Sequence, residues 1–360
     1  FGYVVALKEF LMRGLDPRLG RLVDEKVAPL SGGADAREEF RQVERRLRGL
    51  GVYRIWQALT FDAQEAMWRH VGDCVERQLG ELRARGAAAR RGSVRTTPGF
   101  EAPAYLKAVD IHIMPGGYTA DRGDGDVYQG ALFDKAASLF HMGRNGGELN
   151  DVRGHTIVQH LYERFPELRP ARILDMGCTV GHSTVAIARA FPDAEVHAID
   201  VGGALLRYAH ARADGLGAAV HFSQQNAERT DFPDDSFDLV VSSAMLHETS
   251  NKALPRILAE CRRLLRPGGA MIHLEVPLRF EAASTWSRIR GQYEAHFNNE
   301  PFWMGAQSAD IAGLARAAGL RDVEAGYQDA VPAPDRSRRG GFRQQAGPVH
   351  ACWYMVSGRA

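Results

Sequence analysis

The sequence predicts an α/β chain: a mostly parallel seven-stranded sheet closed by a C-terminal antiparallel hairpin, with a mainly helical N-terminal domain in front of it. Three observations lead there. From Pro170 onward short apolar strands alternate with amphipathic helices, the pattern of a parallel sheet covered on both faces. The last elements run helix, strand, loop, strand, an order that finishes a sheet with a hairpin. Residues 1–95 are rich in Arg, Leu, Glu and Ala and carry their apolar positions at helical spacing.

Taken in order, Phe61–Arg85 places Ala66, Met67, His70, Val71, Cys74, Val75, Leu79 and Leu82 on one helical face. Arg83–Ser93 (RARGAAARRGS), with Gly86 and Gly92, is expected to end that helix as a basic linker. Residues 96–168 read as a bridging or lid region. In it Leu106–Met114 alternates like a strand and is turned by Pro115-Gly116-Gly117. Asp121–Asp126 is a polar loop whose acidic spacing does not form a calcium-binding set. Val127–Met142 and Asp151–Phe165 are two amphipathic helices. Residues 169–360 form the third unit. Strands are expected at Arg172–Met176, Glu195–Asp200, Ala219–Ser223, Phe237–Ser243, Ala270–Val276, Leu320–Gln328 and His350–Gly358. Helices fall at Gly181–Phe191, Gly202–Asp214, Lys252–Leu265 (stopped by Pro267-Gly268-Gly269) and Ser308–Ala318 with Ser308 as N-cap. The Pro-, Arg- and Gly-rich loop 330–348 reads as mobile.

Composition excludes several classes. Against 45 Lys+Arg stand 44 Asp+Glu in 360 residues, so bulk charge does not grip nucleic acid. No apolar run reaches the roughly 20 residues of a membrane span, and Val4–Leu11 carries Lys8 and Glu9 and lacks a signal-peptide cleavage site. The chain opens on Phe1, not Met, so sequence upstream of it is expected. Cys74, Cys178, Cys261 and Cys352 form no C-x-x-C pair and read as free thiols of a reducing, cytoplasmic protein. The 13 histidines show no ligand spacing, and no metal is expected. The N-terminal helices offer a surface for a homodimer.

The sharpest segment is Ile173–Thr184, ILDMGCTVGHST. A strand ends in Asp175 and a turn bearing Gly177 and Gly181 runs into a helix, the place where open α/β sheets hold ligands. About 20 residues on, a second strand ends in Asp200, where a carboxylate can accept both hydroxyls of a ribose. After the third strand, the Asn226 amide and the Ala227 N–H are placed to read an adenine edge.

The ordered set LDMGCTVG, AEVHAID, NAERTDFPDDSFDLVVSS and LLRPGGAMIHLEVP resembles the class I S-adenosylmethionine-dependent methyltransferases with a ubiquinone/menaquinone-biosynthesis-like domain. The resemblance implies a Rossmann-like domain that binds S-adenosylmethionine and methylates a small organic acceptor. It implies that Asp175 and the 177–181 turn hold the methionine portion and Asp200 the ribose. Val201 would pack on the adenine, and Ser242 and Ser243 would line the methyl-donor pocket. Two positions depart from the family pattern: Thr179 replaces the middle glycine of G-x-G-x-G, and Asn226 replaces an Asp.

Around this core, His247 in MLHE is read either as the base that deprotonates an acceptor or as a packing histidine. Glu248, Glu275 and Trp303 are candidates to meet the acceptor. Tyr118 and Tyr128 are candidates to close over the pocket, and Arg144 to pair with the cofactor's carboxylate. Trp286, Tyr293, Phe297 and Phe302 lie in the same stretch as Trp303, which either shapes the acceptor pocket or covers the core. A regulatory protein that binds the cofactor without turnover is the second reading. A nicotinamide-linked oxidoreductase is the third, weakened because G-x-G-x-x-G would need glycine where Thr179 and His182 stand.

Overall fold

The computed structural model describes residues 2–26, 36–276, 285–343 and 350–360. Its strands are β1 (Ser93–Arg95), β2 (Arg172–Met176), β3 (Glu195–Asp200), β4 (His221–Gln224), β5 (Phe237–Ser243), β6 (Leu265–Glu275), β7 (Arg321–Asp329) and β8 (Cys352–Arg359). They form one sheet in the order β1-β4-β3-β2-β5-β6-β8-β7. Pairing is parallel from β1 to β6, and β8 runs antiparallel to both β6 and β7. The sheet therefore has eight strands rather than the expected seven. The added β1 is a three-residue edge strand against β4, too short and exposed to leave an alternating pattern in the sequence.

Strand alternation sorts the sheet's side chains into two cores. Ile173, Val241 and Ile272 face the helices Val152–Arg164, His182–Ala190 and Gly203–Gly215. Leu174, Val240 and Met271 face the helices Leu254–Leu264 and Ile311–Ala317. All six are fully buried, each contributing about 1.5–3 kcal/mol of apolar burial. From β2 the chain steps to β3 on one side and later returns to β5 on the other. The carboxyl end of β2 is thus the switch point where a crevice opens.

The N-terminal helices pack directly onto this body. Helix Gly51–Ala88 runs through Gly86, past the point where a break was expected. Its first half buries Tyr53 and Trp56 against Leu19, Leu47 and Tyr293, the last from helix Thr285–Phe297. Farther on, Met67, Val71 and Val75 join Leu132, Val180 and Leu205. Trp56 Nε1 donates to Asp16 Oδ1 at 2.5 Å, and Asp16 also pairs with Arg290.

Two local expectations are corrected. Leu106–Met114 is not a strand: Ala104–Lys107 is a helical turn and Ile111–Ile113 a 3-10 turn, with His112 at φ 62°. The alternation there reflects a tight turn that buries Ile111 and Met114 while sending His112 elsewhere. Ser308 does not cap the following helix. It ends helix Trp303–Ser308, its hydroxyl donating to Met304 O, and Asp310 is the N-cap, accepting from Gly313 N at 2.8 Å. Within the loop 330–348, residues 344–348 lie outside the described residues.

Gly154 marks a close helix–helix approach at the sheet. A Cβ there would lie 2.6 Å from Ser183 O and 2.9 Å from Ser183 Cα, backbone atoms of the helix that follows β2 or of its first turn. Alanine normally favours a helix by up to about 1 kcal/mol over glycine. Here overpacking is the larger effect, so Gly154→Ala is expected to lower unfolding free energy by about 1–3 kcal/mol in urea denaturation. An unchanged or raised midpoint would mean that the two helices can separate freely.

Candidate active site

At the carboxyl ends of β2, β3 and β5 a cavity of about 1060 Å³ reaches from the turn after β2 to the N-terminal helices. Its floor is fixed by backbone bonds. Gly177 N and Cys178 N both donate to Ile199 O, at 2.8 and 3.0 Å, which ties the turn to β3. Asp200, last in β3, accepts from Thr179 N at 2.9 Å and Gly202 N at 3.0 Å. Burial of this carboxylate pushes its pKa up, against the pull of those backbone N–H groups.

The glycines of the turn act differently from one another. Gly177 has φ 71°, and a Cβ there would fall 2.4 Å from Met245 Cγ, so its side chain is excluded by packing as well as by backbone shape. Gly181, at φ 77°, caps the helix but does not line the cavity. Thr179 adopts φ 47°, a strained conformation for a β-branched residue, and its N–H on Asp200 holds it there.

A narrow recess below the cavity is lined by Arg153, Asp175, Gly177, Thr179 and Ser243 among others. Asp175 accepts from Thr184 Oγ1 at 2.6 Å, while its Oδ1 is buried without a partner among the described residues. Burial raises its pKa to about 7 despite the Thr184 bond. Ser243 Oγ and Arg153 Nε are also buried and unpartnered. The orphaned carboxylate oxygen of Asp175 and the unpartnered Arg153 Nε leave a hydrogen-bond acceptor and a charged donor open beside the larger cavity, which Arg153 also lines. Arg153 was not legible in the sequence; Arg144, which was, lines only the wider cavity.

Beyond β5 the chain turns sharply at Ala244 (φ 56°) into the 3-10 turn Leu246–Glu248. Glu275, the buried last residue of β6, holds this turn. Its Oε1 accepts from Met245 N at 2.9 Å and Leu246 N at 2.6 Å, and its Oε2 bonds His247 Nδ1 at 2.7 Å. The Oε2 bond places the His247 proton on Nδ1 and turns Nε2 toward the cavity. Burial opposes the imidazolium, but Glu275, with Glu248 and Glu300, outweighs it and raises the His247 pKa. The Trp303 ring stands edge-on to His247 with centroids 5.0 Å apart.

His112, Glu248 and Glu300 form a further cluster that sequence spacing concealed. His112 Nε2 lies 3.0 Å from Glu248 Oε1 and Nδ1 lies 3.0 Å from Glu300 Oε1. Tyr118 donates to the same Glu248 oxygen at 3.1 Å. Burial disfavours charge on His112, yet the two carboxylates dominate and hold its pKa well above the ordinary value. Trp68 Nε1 donates to His112 O at 2.8 Å, so helix Gly51–Ala88 places this imidazole. Ligand-capable atoms of the three residues lie within 4.8 Å of one another.

Of the residues singled out in the sequence, Gly177, Thr179, Asp200, Val201, Asn226, Ala227, Ser243, Tyr118, Arg144, His247, Glu248 and Trp303 line the cavity. Asp175 lines the recess instead, and four others are elsewhere. Ser242 points to the opposite face of β5 and bonds His273 Nδ1 at 2.6 Å, since neighbours on a strand cannot share a face. Glu275 is wholly buried and acts on the turn. Tyr128 lies under the Arg122 guanidinium, 3.6 Å from its ring centre, because the helix it opens turns Phe133, Ala136 and Phe140 inward instead. Gly181 is the fourth. Asn226 does line the cavity, but its Oδ1 already accepts from Glu228 N at 2.9 Å. Of the aromatic stretch, Tyr293 reaches the cavity while Phe302 packs on Tyr105 and Trp286 on Trp56.

Residues 173–269 match the family described as methyltransferase domain. A malonyl-[acyl-carrier protein] O-methyltransferase of Methylococcus capsulatus is 37% identical over 105 residues, 28% of this chain and 36% of that one. One from Halorhodospira halophila is 26% identical over 57% of this chain and 79% of its own length. A ubiquinone/menaquinone biosynthesis C-methyltransferase of Vibrio campbellii is 32% identical over 39% of this chain and 57% of its own. The chain thus spans only about a third to four fifths of these relatives. Among solved structures, the Haemonchus contortus phosphoethanolamine N-methyltransferase 2 complex with S-adenosylhomocysteine has a TM-score of 0.42 at 19% identity, covering 55% of this chain and 44% of that one. The matched residues begin in β2 and carry the turn, Asp200 and the β5 edge just described, so the chain bears a methyltransferase domain of the class I kind, whose cofactor is S-adenosylmethionine.

Proposed function

We propose that this protein is an enzyme that methylates a small organic acceptor, with His247 as the base. The observation that carries the proposal is the continuity of one cavity from Asp200 and the turn after β2 to His247 Nε2. When bound, S-adenosylmethionine supplies an electrophilic methyl group on a sulfonium sulfur. Asp200 would take its ribose hydroxyls, Val201 would flank its adenine, and Asp175 and Arg153 would hold its ammonium and carboxylate. The cavity is far larger than the recess, which leaves space for an acceptor beside the helices from the N-terminal region.

His247 removes a proton from the acceptor at Nε2, and Glu275 keeps the productive tautomer and stabilises the imidazolium that forms. The enclosure made by Trp303, Tyr118 and Phe133 keeps water from the reacting atoms. Helix Gly51–Ala88 belongs to the machinery through His112, which it positions. By their names, the malonyl-[acyl-carrier protein] and ubiquinone/menaquinone-biosynthesis relatives transfer the methyl to oxygen and to carbon respectively, so the relatives do not fix the acceptor atom.

Two measurements test this reading. Calorimetric titration with S-adenosylhomocysteine is expected to give one site per chain. Asp200→Asn is expected to weaken it roughly ten- to hundredfold, the loss of hydrogen bonds to a buried charge. Equal affinity would remove Asp200 from the cofactor site. Second, the His247 ring nitrogens followed by NMR should titrate above the ordinary 6.5, and Glu275→Gln should move that midpoint down, since the carboxylate holds the proton on. With an accepted substrate, kcat/KM should then rise with pH through the same midpoint. A His247 midpoint that ignores residue 275 would break the proposed pair.

A further inference from the structure

The cavity lacks hydrogen-bond donors at one place. Glu248 Oε2, Glu300 Oε2, Asn298 Oδ1 and Gln307 Oε1 are buried and have no partner among the described residues. Their side chains all border the one cavity, and the residues are between 2% and 9% exposed. Four orphaned acceptors with two carboxylates among them are costly unless something brings N–H or O–H groups to them. Near Gln307, the unpartnered Trp303 Nε1 can satisfy at most one.

Charge narrows the choice. Around Glu248 and Glu300 stand two imidazoles, His112 and His247, against three carboxylates, Glu275 being the third. A neutral polyol would fill the hydrogen bonds and leave a buried negative charge uncompensated. A divalent cation could take the orphaned oxygens as ligands, but His112, whose ring nitrogens both face carboxylate oxygens at 3.0 Å, adds none, and two positive charges would exceed the one that is missing. An organic cation rich in N–H donors matches both the charge and the acceptors.

Building on the methyl-transfer reading, we propose that the acceptor is an amine, which enters as an ammonium ion and is held by Glu248 and Glu300 in front of His247. The geometry suits the next step as well. His247 Nε2 is 3.5 Å from Glu248 Oε1 and 3.9 Å from Glu300 Oε2, too long for good hydrogen bonds. An ammonium bonded to both carboxylates therefore stands beside that nitrogen. One N–H bond breaks, its electron pair stays on the amine as the lone pair a methyl acceptor needs, and the proton goes to Nε2.

The test uses the full chain saturated with S-adenosylhomocysteine, titrated calorimetrically with benzylammonium, benzyl alcohol and benzoate. Benzylammonium is expected to bind about tenfold or more tightly than the alcohol, as a charge-assisted bond to a buried carboxylate would give, and benzoate not to bind. Glu300→Gln should abolish most of that preference. Equal or tighter binding of the alcohol or of benzoate overturns the proposal. So does stoichiometric Mn²⁺ binding, followed by EPR, that is lost in Glu300→Gln and blocks benzylammonium. If Glu300→Gln does not fold, the ranking of the three probes on the unaltered chain still decides. Failure of S-adenosylhomocysteine to bind overturns the cofactor reading separately, and titration of the chain alone then still ranks the probes.

Discussion

One buried carboxylate organises the reacting edge of this protein. Glu275 ends β6, and the three bonds it accepts all go to the turn after β5: two from backbone N–H groups and one from His247. Parallel strands leave their carboxyl ends in irregular loops, so catalytic side chains there need something rigid to hold them. A charge wholly inside the sheet's end is stable only if its lone pairs are filled, and the turn provides the filling. The same contact therefore fixes the backbone at Met245, which presses on Gly177, and fixes the tautomer of His247. The turn after β2 and the His247 ring are two readouts of one interaction.

The helical region upstream completes this edge rather than decorating it. Its long helix buries one stretch against Tyr293 and another against Leu205, and between them it holds the His112 carbonyl. His112 then bridges Glu248, from the β5 edge, and Glu300, from the segment before β7. Three stretches distant in sequence thereby meet on one imidazole. Such a joint makes the shape of the acceptor space depend on how the N-terminal helices pack.

The turn after β2 and the acid that ends β3 were legible because they are local. A strand, a glycine turn and an acid after the next strand leave a pattern within about 30 residues, and the ordered motifs carried their meaning with them. Thr179 departed from the pattern, yet the contact that matters is its backbone N–H on Asp200, which any residue supplies. The far side of the cavity was not legible. Glu300 in a run of polar residues and His112 in an apparently alternating stretch carry no local sign of their partners. Ser242 and Tyr128 misled for a related reason: residue type and neighbourhood were right, but strand alternation and helical phase turned each away.

The sequence by itself determined the α/β class, the two faces of the sheet, the switch point and the carboxylate at the end of β3, because periodicity and short motifs are consequences of nearest-neighbour geometry. Only the tertiary structure decided that Glu275 serves the turn instead of the acceptor, that Arg153 rather than Arg144 lies beside Asp175, and that His112 joins Glu248 to Glu300. The last of these depends on side chains brought to 3.0 Å across more than a hundred residues of chain. Hydrogen bonding and desolvation act only at that range, and no spacing along the chain records it.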